Sequence, residues 1–301
     1  MPDTRITASQ RRRCQKRVSV SGLMSAPYLD KYAAYALLCL NDPHFARYGM
    51  LLIMNISTIK TPVVKAGAML LTELLDDSLH EFHDNSILVI TSKVVSLCES
   101  RVVDKEKAAK DELIKHEADY YLDPSYSSHR YHFSIVQGML TSSAGIDESN
   151  GNGDYVLWPR NAQLTANQVR QYLQRRFMVK NAGVIVVDST SYPLRRGAIG
   201  TSLAHSGFKA LNDYRGKSDL FGRSIKVEVA NVCEGLAAGA VAAMGEGAEG
   251  TPIAVIADVN FVAFQSADPT PEELTELRVA LDDDYYASFL TSAPWQRGDR
   301  S

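Results

Sequence analysis

The sequence predicts a mixed α/β (α+β) fold from two long apolar strands and two clear helical patterns. Residues 183–190 form a β-branched run, as does the stretch 86–90, and such runs are typical of strands buried on both faces. Residues 68–79 and 234–244 instead carry apolar and alanine residues at helical spacing. A buried sheet with helices packed against it satisfies both patterns.

Shorter patterns extend this prediction along the chain. Thr165 is the predicted N-cap of a helix over residues 165–177. The predicted strands are 53–60, 131–140, 155–158, 225–232 and 251–257, and the further predicted helices are 94–99, 104–121, 165–177 and 271–281.

The composition excludes several classes of protein. With 45% hydrophobic and 22% charged residues and a net charge of -3, the chain resembles an ordinary globular protein without general attraction to nucleic acid. Its four cysteines form no CxxC pair, which favours reduced thiols in the cytoplasm. No apolar run has the roughly 18 residues of a membrane span. The basic N-terminus lacks the features of a signal peptide, so we expect no export and no membrane partner.

The character of the chain changes near residue 50. Residues 1–49 begin basic and polar, and the cleaner strand pattern starts after them. We expect these residues to be an appendage, or upstream sequence read from an early start codon. Residues 50–262 form the predicted main domain, or two subdomains, and residues 263–301 a helical tail. Limited proteolysis that left 1–49 intact, together with loss of folding on their removal, would contradict this expectation.

The most informative stretch is the end of the strand 183–190. Asp188 and Ser189 stand where the buried pattern gives way to loop residues, and strand ends are where α/β proteins place ligand-binding groups. Carboxylate and hydroxyl oxygens suit Mg²⁺ or Mn²⁺, and the nearby Arg195 and Arg196 suit phosphate or carboxylate. The alternative is that Asp188 merely caps a turn.

Other polar residues also stand at the ends of predicted elements. Ser92 and Lys93 follow a buried strand, where they bind phosphate or simply cap the next helix. Asp147 lies in a loop rich in acids and asparagine, which is usually no more than a turn. Glu246 is exposed between two glycines, either as a ligand or within an ordinary helix-ending turn.

Several of these pieces, taken in order, resemble one enzyme family. The stretches are 91–96, 144–150, 187–189 with 195–197, 213–223 and 244–247. They are similar to the coenzyme F-420:L-glutamate ligases, the gamma-glutamyl ligases of the deazaflavin cofactor, over residues 56–256. The resemblance implies a mixed α/β fold peculiar to that family and an intertwined homodimer.

The resemblance also implies a reaction and its cofactors. Members of the family join L-glutamate to a carboxylate acceptor through an amide bond, with GTP as co-substrate. Two Mg²⁺ or Mn²⁺ sites are implied, and K⁺ is a further candidate. The expected partners are therefore a nucleoside triphosphate, L-glutamate, a carboxylate acceptor and a second copy of the chain.

The resemblance assigns roles to residues of this sequence. The first metal would be held by Asp147 and Asp188, and the second by Ser189 and Glu246. Arg195, Arg196 and Lys209 would receive substrate carboxylates or phosphates. The expected nucleotide-binding residues are Lys60, Thr61, Pro62, Ser92, Lys93 and Asn150.

Two departures from the family pattern affect the expected site. Leu97 stands where the family often has a lysine, and Ser191-Tyr192 stands where Gly-Arg is usual. Cations lost near a phosphate site predict an altered grip on the nucleotide or a different acceptor. The alternatives are thus a related ligase acting on another small carboxylate with ATP or GTP, and a non-catalytic metal-binding homodimer.

Overall fold

The computed structural model describes residues 54–300, which lie in one compact unit. The predicted appendage, residues 1–49, lies outside the described residues, and the boundaries assigned to the domains stay predictions. The described strands are Asn55–Ile59 (β1), Ser86–Thr91 (β2), Val102–Asp104 (β3), Tyr120–Tyr121 (β4), Phe133–Val136 (β5), Met139–Ser142 (β6), Asp154–Val156 (β7), Ala182–Ser191 (β8), Ala198–Ser206 (β9), Leu211–Asp213 (β10), Val229–Asn231 (β11), Ile253–Ala257 (β12) and Gln296–Arg297 (β13). The described helices are Leu71–Ser78 (α1), Ser92–Cys98 (α2), Lys110–Glu117 (α3), Ala162–Phe177 (α4), Val232–Met244 (α5), Pro271–Glu276 (α6) and Ala287–Leu290 (α7).

A five-stranded sheet in the order β1-β12-β2-β8-β9 forms the centre of the fold. Alternate residues of the strands, such as Leu88 and Val184, face a core built from α1, α2 and α4. The residues between them, including Ile87 and Ile185, point to the opposite face and pack against α5. Both faces are therefore buried, as the unbroken β-branched runs predict, and the mixed α+β fold class is confirmed.

Strands β2 and β8 are parallel, while the other pairs in this sheet are antiparallel. Thr91 lies opposite Val187 at the last step of the β2–β8 register. The residues that follow this last pair, Ser92 and Asp188, consequently lie at the same edge of the sheet. The register of two strands alone thus brings two separate sequence motifs together.

A bulge at Leu203 interrupts the pairing of β8 with β9, because Val186 pairs with Ala204 and Val187 with Ser202. The carboxylate of Glu234 at the start of α5 accepts the backbone N–H of Ser202 at 3.1 Å and its hydroxyl at 2.6 Å. The start of α5 is thereby tied to β9 next to the bulge.

Several predicted elements are wrong in extent, among them the strand 225–232, which is a strand only over Val229–Asn231. The predicted helix 104–121 is a helix from Lys110 to Glu117 between short strands. The predicted strand 131–140 is a hairpin that turns at Gln137 and Gly138, whose φ angles are 53° and 76°. Two consecutive positive φ angles are typical of a tight hairpin turn, which the alternating pattern alone does not reveal.

The caps of two helices also differ from the prediction. Helix α4 begins after Asn161, whose side chain accepts the N–H of Leu164 at 2.9 Å, so the prediction of Thr165 as cap is wrong. Helix α2 is capped by Thr91, and Ser92 is its first residue. Ser92 therefore does not cap α2, which excludes one of the two interpretations of this residue.

The segment after residue 262 packs back on the rest of the molecule. Strand β13 pairs with β4, and the buried Arg170 of α4 donates to the Asp268 carboxylate at 2.6 Å. Helix α6 ends at Glu276 rather than at 281. Within residues 54–300, no helix is long and apolar enough to cross a membrane.

Candidate active site

A cleft of about 470 Å³ opens at the shared edge where β2 and β8 end. Its walls are the two strand ends, the loops 61–64 and 147–150, and the glycine-rich loop 245–250 that follows α5. The strand ends are fixed by the buried sheet, whereas the loops leave their polar groups open to the cleft. The fold therefore brings five separate pieces of sequence together around one cavity.

Asp188 lies at the base of this cleft, where β8 leaves the core. Its Oδ1 accepts the backbone N–H of Ser189 at 2.9 Å, and its Oδ2 accepts the indole N–H of Trp158. Burial raises the pKa of Asp188 to about 6, although the hydrogen bond from Trp158 acts in the opposite direction. The nearby charge of Asp147 raises this pKa further.

Asp147 stands on the opposite wall with a different set of partners. Its carboxylate lies 2.5 Å from the Lys93 ammonium and accepts the Ser149 N–H and hydroxyl at 2.7 and 2.9 Å. Burial alone raises the pKa of Asp147, but the bonds from Lys93 and Ser149 outweigh it and lower the pKa below its ordinary value. This carboxylate is therefore ionised and already paired.

The glycine-rich loop closes the third side of the cleft. The Ser189 hydroxyl donates to Glu246 Oε2 at 3.2 Å, and the Asn150 amide donates to the Gly247 carbonyl at 3.3 Å. The flexible glycines let this loop bring Glu246 against the end of β8. The two predicted second-metal ligands, Ser189 and Glu246, are thus in direct contact.

The lining of the cleft carries an excess of negative charge. Four of its described lining residues are acids, namely Asp147, Asp188, Glu246 and Glu249, against the single ammonium of Lys93. Carboxylate and hydroxyl oxygens are the ligands that Mg²⁺ and Mn²⁺ prefer. The set of oxygen donors therefore fits divalent cations.

The acids are not packed into a closed metal cage. Among residues 54–300, no three histidine, cysteine, aspartate or glutamate side chains are close enough to surround an ion by themselves. An open arrangement is the usual one for Mg²⁺, which binds through one or two carboxylates and completes its shell with substrate phosphates and water. Asp188 and the Ser189–Glu246 pair would hold such ions.

The structure brings most of the predicted site residues to this cleft. The residues that line it are Thr61, Pro62, Ser92, Lys93, Asp147, Asn150, Asp188, Ser189 and Glu246. Lys60, next to Thr61, is exposed and does not line it. Leu97, one of the two departures from the family pattern, is buried in the wall of the cleft.

Three predicted substrate-binding cations lie elsewhere in the described chain. Arg195 and Arg196 are exposed in the turn between β8 and β9, and Lys209 lines a separate cavity of about 220 Å³ beside His205. Their assignment to substrate carboxylates or phosphates stays a prediction.

Sequence reasoning missed several residues of the site. Ser149 joins Lys93 and Asp147, Glu249 accepts the N–H of Gly247 at 2.8 Å, and Trp158 contacts Asp188 from behind. Trp158 closes the predicted strand 155–158, and an aromatic residue at a strand end is usually core. No local signal connected it with a carboxylate thirty positions further along.

Comparison with known proteins places the chain in a family. Residues 58–258 match the family model described as F420-0:Gamma-glutamyl ligase, which is more than half of the chain. The chain belongs to this family. The residues that carried the resemblance fall inside the matched range.

Curated relatives agree with the family assignment. The chain is 30% identical to the coenzyme F420:L-glutamate ligase of Methanocaldococcus jannaschii over 218 residues, or 67% of this chain and 86% of the relative. It is 31% identical to the enzyme of that name from Archaeoglobus fulgidus over 214 residues, covering 66% and 85% of the two chains. Membership of the gamma-glutamyl ligase family supports a ligase with small-molecule substrates.

Proposed function

We propose that the protein is a divalent-cation- and GTP-dependent ligase that joins L-glutamate to a carboxylate through an amide bond. The observation that carries this proposal is the charge of the cleft, which sets four carboxylates against one ammonium. A nucleoside triphosphate is itself strongly anionic, so it would be repelled from such a cleft in the absence of cations. Divalent cations held by these acids reconcile the family's reaction with the charge of the site.

The proposed reaction has two steps. First, an oxygen of the acceptor carboxylate attacks the γ-phosphorus of GTP; the bond to the β-phosphate oxygen breaks, and an acyl phosphate and GDP result. The amine of L-glutamate then attacks the acyl carbon, a C–N bond forms, and phosphate leaves as the amine loses a proton. Activation is needed because a free carboxylate is a poor electrophile.

The residues of the cleft have separate tasks in this reaction. Asp188, Asp147, Ser189 and Glu246 would hold the cations, which supply neutralisation of the charge on the transferred phosphoryl group. Lys93 lies on the same wall and would contact the nucleotide phosphates as a point charge. Asn150, tied to the Gly247 carbonyl, would orient the nucleotide against the glycine-rich loop.

The acceptor is proposed from the family, whose described substrate is F420-0. A related ligase with a different acceptor is the second candidate, and a specific feature favours it. Leu97 lines the cleft together with Val63 and Val64, so this part of the wall is apolar, and at Leu97 the family pattern expects a cation. An apolar wall contributes little to phosphate binding and can accommodate another acid.

The test is a product assay with the full-length purified protein. F420-0, L-glutamate, Mn²⁺ and either GTP or ATP are incubated with enzyme, and GDP or ADP, phosphate and the mass of the acceptor are measured. The proposal expects nucleotide cleavage coupled to addition of glutamate, with no product when Mn²⁺ or glutamate is omitted. Asp188→Asn should abolish the product, whereas Asp283→Asn in the exposed tail should not.

The outcomes separate the candidate functions. Cleavage stimulated by another carboxylate but not by F420-0 selects the related ligase. Absence of cleavage with any acceptor, despite binding of Mn²⁺, selects a non-catalytic metal-binding protein. Product formation that continues without divalent cations would overturn the role given to the acids.

A further inference from the structure

Trp158 lies directly behind the cleft without lining it. Its side chain is buried, with 7% of its surface exposed, and its indole N–H donates to Oδ2 of Asp188. This hydrogen bond joins the segment that follows β7 to strand β8 of the central sheet. A buried indole with its N–H directed at a carboxylate is more specific than core packing requires.

The indole is locked in place by the backbone around it. Gly145 has a φ of +71°, and a Cβ added there would lie 2.2 Å from two atoms of the indole ring. Ala144, Ile146 and Leu157 belong to the same buried cluster as Trp158. Because the ring cannot move toward Gly145 or out of the cluster, its N–H has a fixed direction.

The two oxygens of Asp188 are therefore both restrained by neutral donors. The Ser189 N–H holds Oδ1 and the Trp158 N–H holds Oδ2, and neither donor cancels the negative charge. Asp147 differs, since a lysine neutralises it. Asp188 thus combines a fixed orientation with an uncompensated charge facing the cleft, which is the combination that a cation ligand needs.

We infer that Trp158 is the positioning residue for the cation site, fixing the Asp188 carboxylate toward the divalent ion through its indole N–H. The inference rests on the proposed function, because it needs a cation at Asp188. Loss of the N–H leaves one oxygen free and lets the carboxylate turn. Removing such an outer partner of a ligand typically lowers metal affinity about 10–100-fold.

The experiment measures Mn²⁺ binding by electron paramagnetic resonance of the free ion, with the full-length protein and no nucleotide. Trp158→Phe keeps an aromatic ring and removes the N–H. The matched control is Trp295→Phe, which removes the other of the two tryptophans, whose N–H donates to the Leu290 carbonyl in the tail. We expect an affinity about tenfold weaker in Trp158→Phe and unchanged in the control.

A second measurement does not depend on the folding of Trp158→Phe. In Trp295→Phe, all tryptophan fluorescence comes from Trp158, so a paramagnetic ion bound at Asp188 should quench it. We expect saturable quenching by Mn²⁺ that excess Mg²⁺ reverses. Both results together support the positioning role.

The contrary outcomes are distinct. Equal Mn²⁺ affinity in wild type and Trp158→Phe, or Mn²⁺ binding without quenching, overturns the role of Trp158 and leaves the proposed ligase intact. Failure of the wild-type protein to bind Mn²⁺ at all overturns the cation site, and the inference with it.

Discussion

Two cavities within residues 54–300 both border the β8–β9 hairpin, yet they differ in what they can bind. The larger cleft, at the end of β8, sets four acids against Lys93. The smaller cavity, beside the last residues of β9, contains Lys209 together with Glu273, Glu276 and the buried His205. Each holds a titratable side chain withdrawn from water, the partly buried Asp188 and the buried His205, but the charges around the two side chains are arranged differently.

The difference shows why burial alone does not make a cation site. Burial raises the pKa of Asp188 to about 6 and lowers the pKa of His205 to about 4, so in each case it disfavours the charged form. Near Asp188, further acids and a hydroxyl can share a cation. Near His205, the buried group is an imidazole that packs edge-on against Phe208, and the nearby charge of Glu273 only partly offsets its burial.

The largest expected effect tests the cleft side of this comparison. Asp188→Asn keeps the size of the side chain and removes its charge, so Mn²⁺ affinity should fall by about a hundredfold or more, the upper end of losses seen for outer partners of metal ligands. Binding of Mn²⁺ is measured by electron paramagnetic resonance, with Asp283→Asn as control. An unchanged affinity would mean that Asp188 is structural.

The second prediction tests the His205 side through the dependence of stability on pH. The folded protein holds His205 with a pKa of about 4, below the ordinary 6.5, so the unfolded chain takes up the proton first as pH falls. The contribution of His205 to the free energy of unfolding is therefore constant well above pH 6.5 and should decrease as the pH falls through 6.5 toward 4, by up to about 1.4 kcal/mol per pH unit.

Urea unfolding at several pH values measures this loss. In His205→Gln the decrease between pH 6.5 and 5 should shrink by about 1–2 kcal/mol. The matched control is His116→Gln, which changes an exposed histidine and should not alter the dependence of stability on pH. A profile that is the same in His205→Gln and wild type would contradict the burial of a neutral imidazole.

The smallest expected effect concerns the ammonium already present in the cleft. Lys93 neutralises Asp147 and so competes with any cation there. Lys93→Gln should tighten Mn²⁺ binding about fivefold without nucleotide, or ~1 kcal/mol, the upper value for a partly exposed ion pair. Lys107→Gln, which removes an exposed partner of Asp104, is the control, and weaker Mn²⁺ binding in Lys93→Gln would contradict the competition.

The central sheet could be predicted from the sequence because its strands are buried on both faces, and such strands are apolar at successive positions. Residues 184–187 and 87–90 are apolar throughout, since both sides of the sheet are covered, and the strands lie where the pattern places them. The hairpin at Gln137 was hidden because its turn lacks the usual Asn-Gly signal. Helix 104–121 was overextended because charge at helical spacing does not reveal where pairing with β5 and β7 begins.

The site was less accessible to sequence reasoning than the sheet. The motifs around Ser92, Asp147, Asp188 and Glu246 were found by their resemblance to a family, and the register of β2 and β8 explains why they meet. Trp158 and Ser149 contact residues that are far away in the sequence, so no local pattern predicts that they belong to the site. Tertiary hydrogen bonds of this kind appear when the chain is folded.

The most direct test of the cation-dependent cleft is calorimetric titration of the full-length protein with GTP, with and without Mn²⁺, and the same titration with ATP. Four acids against one ammonium predict binding that requires Mn²⁺ and that is lost in Asp188→Asn. The expectation that GTP binds more tightly than ATP comes from the resemblance to the family and not from the charge of the cleft. GTP binding of equal strength without divalent cation would contradict the account, because the charge of the cleft would then have to be overcome by groups other than the ones assigned here.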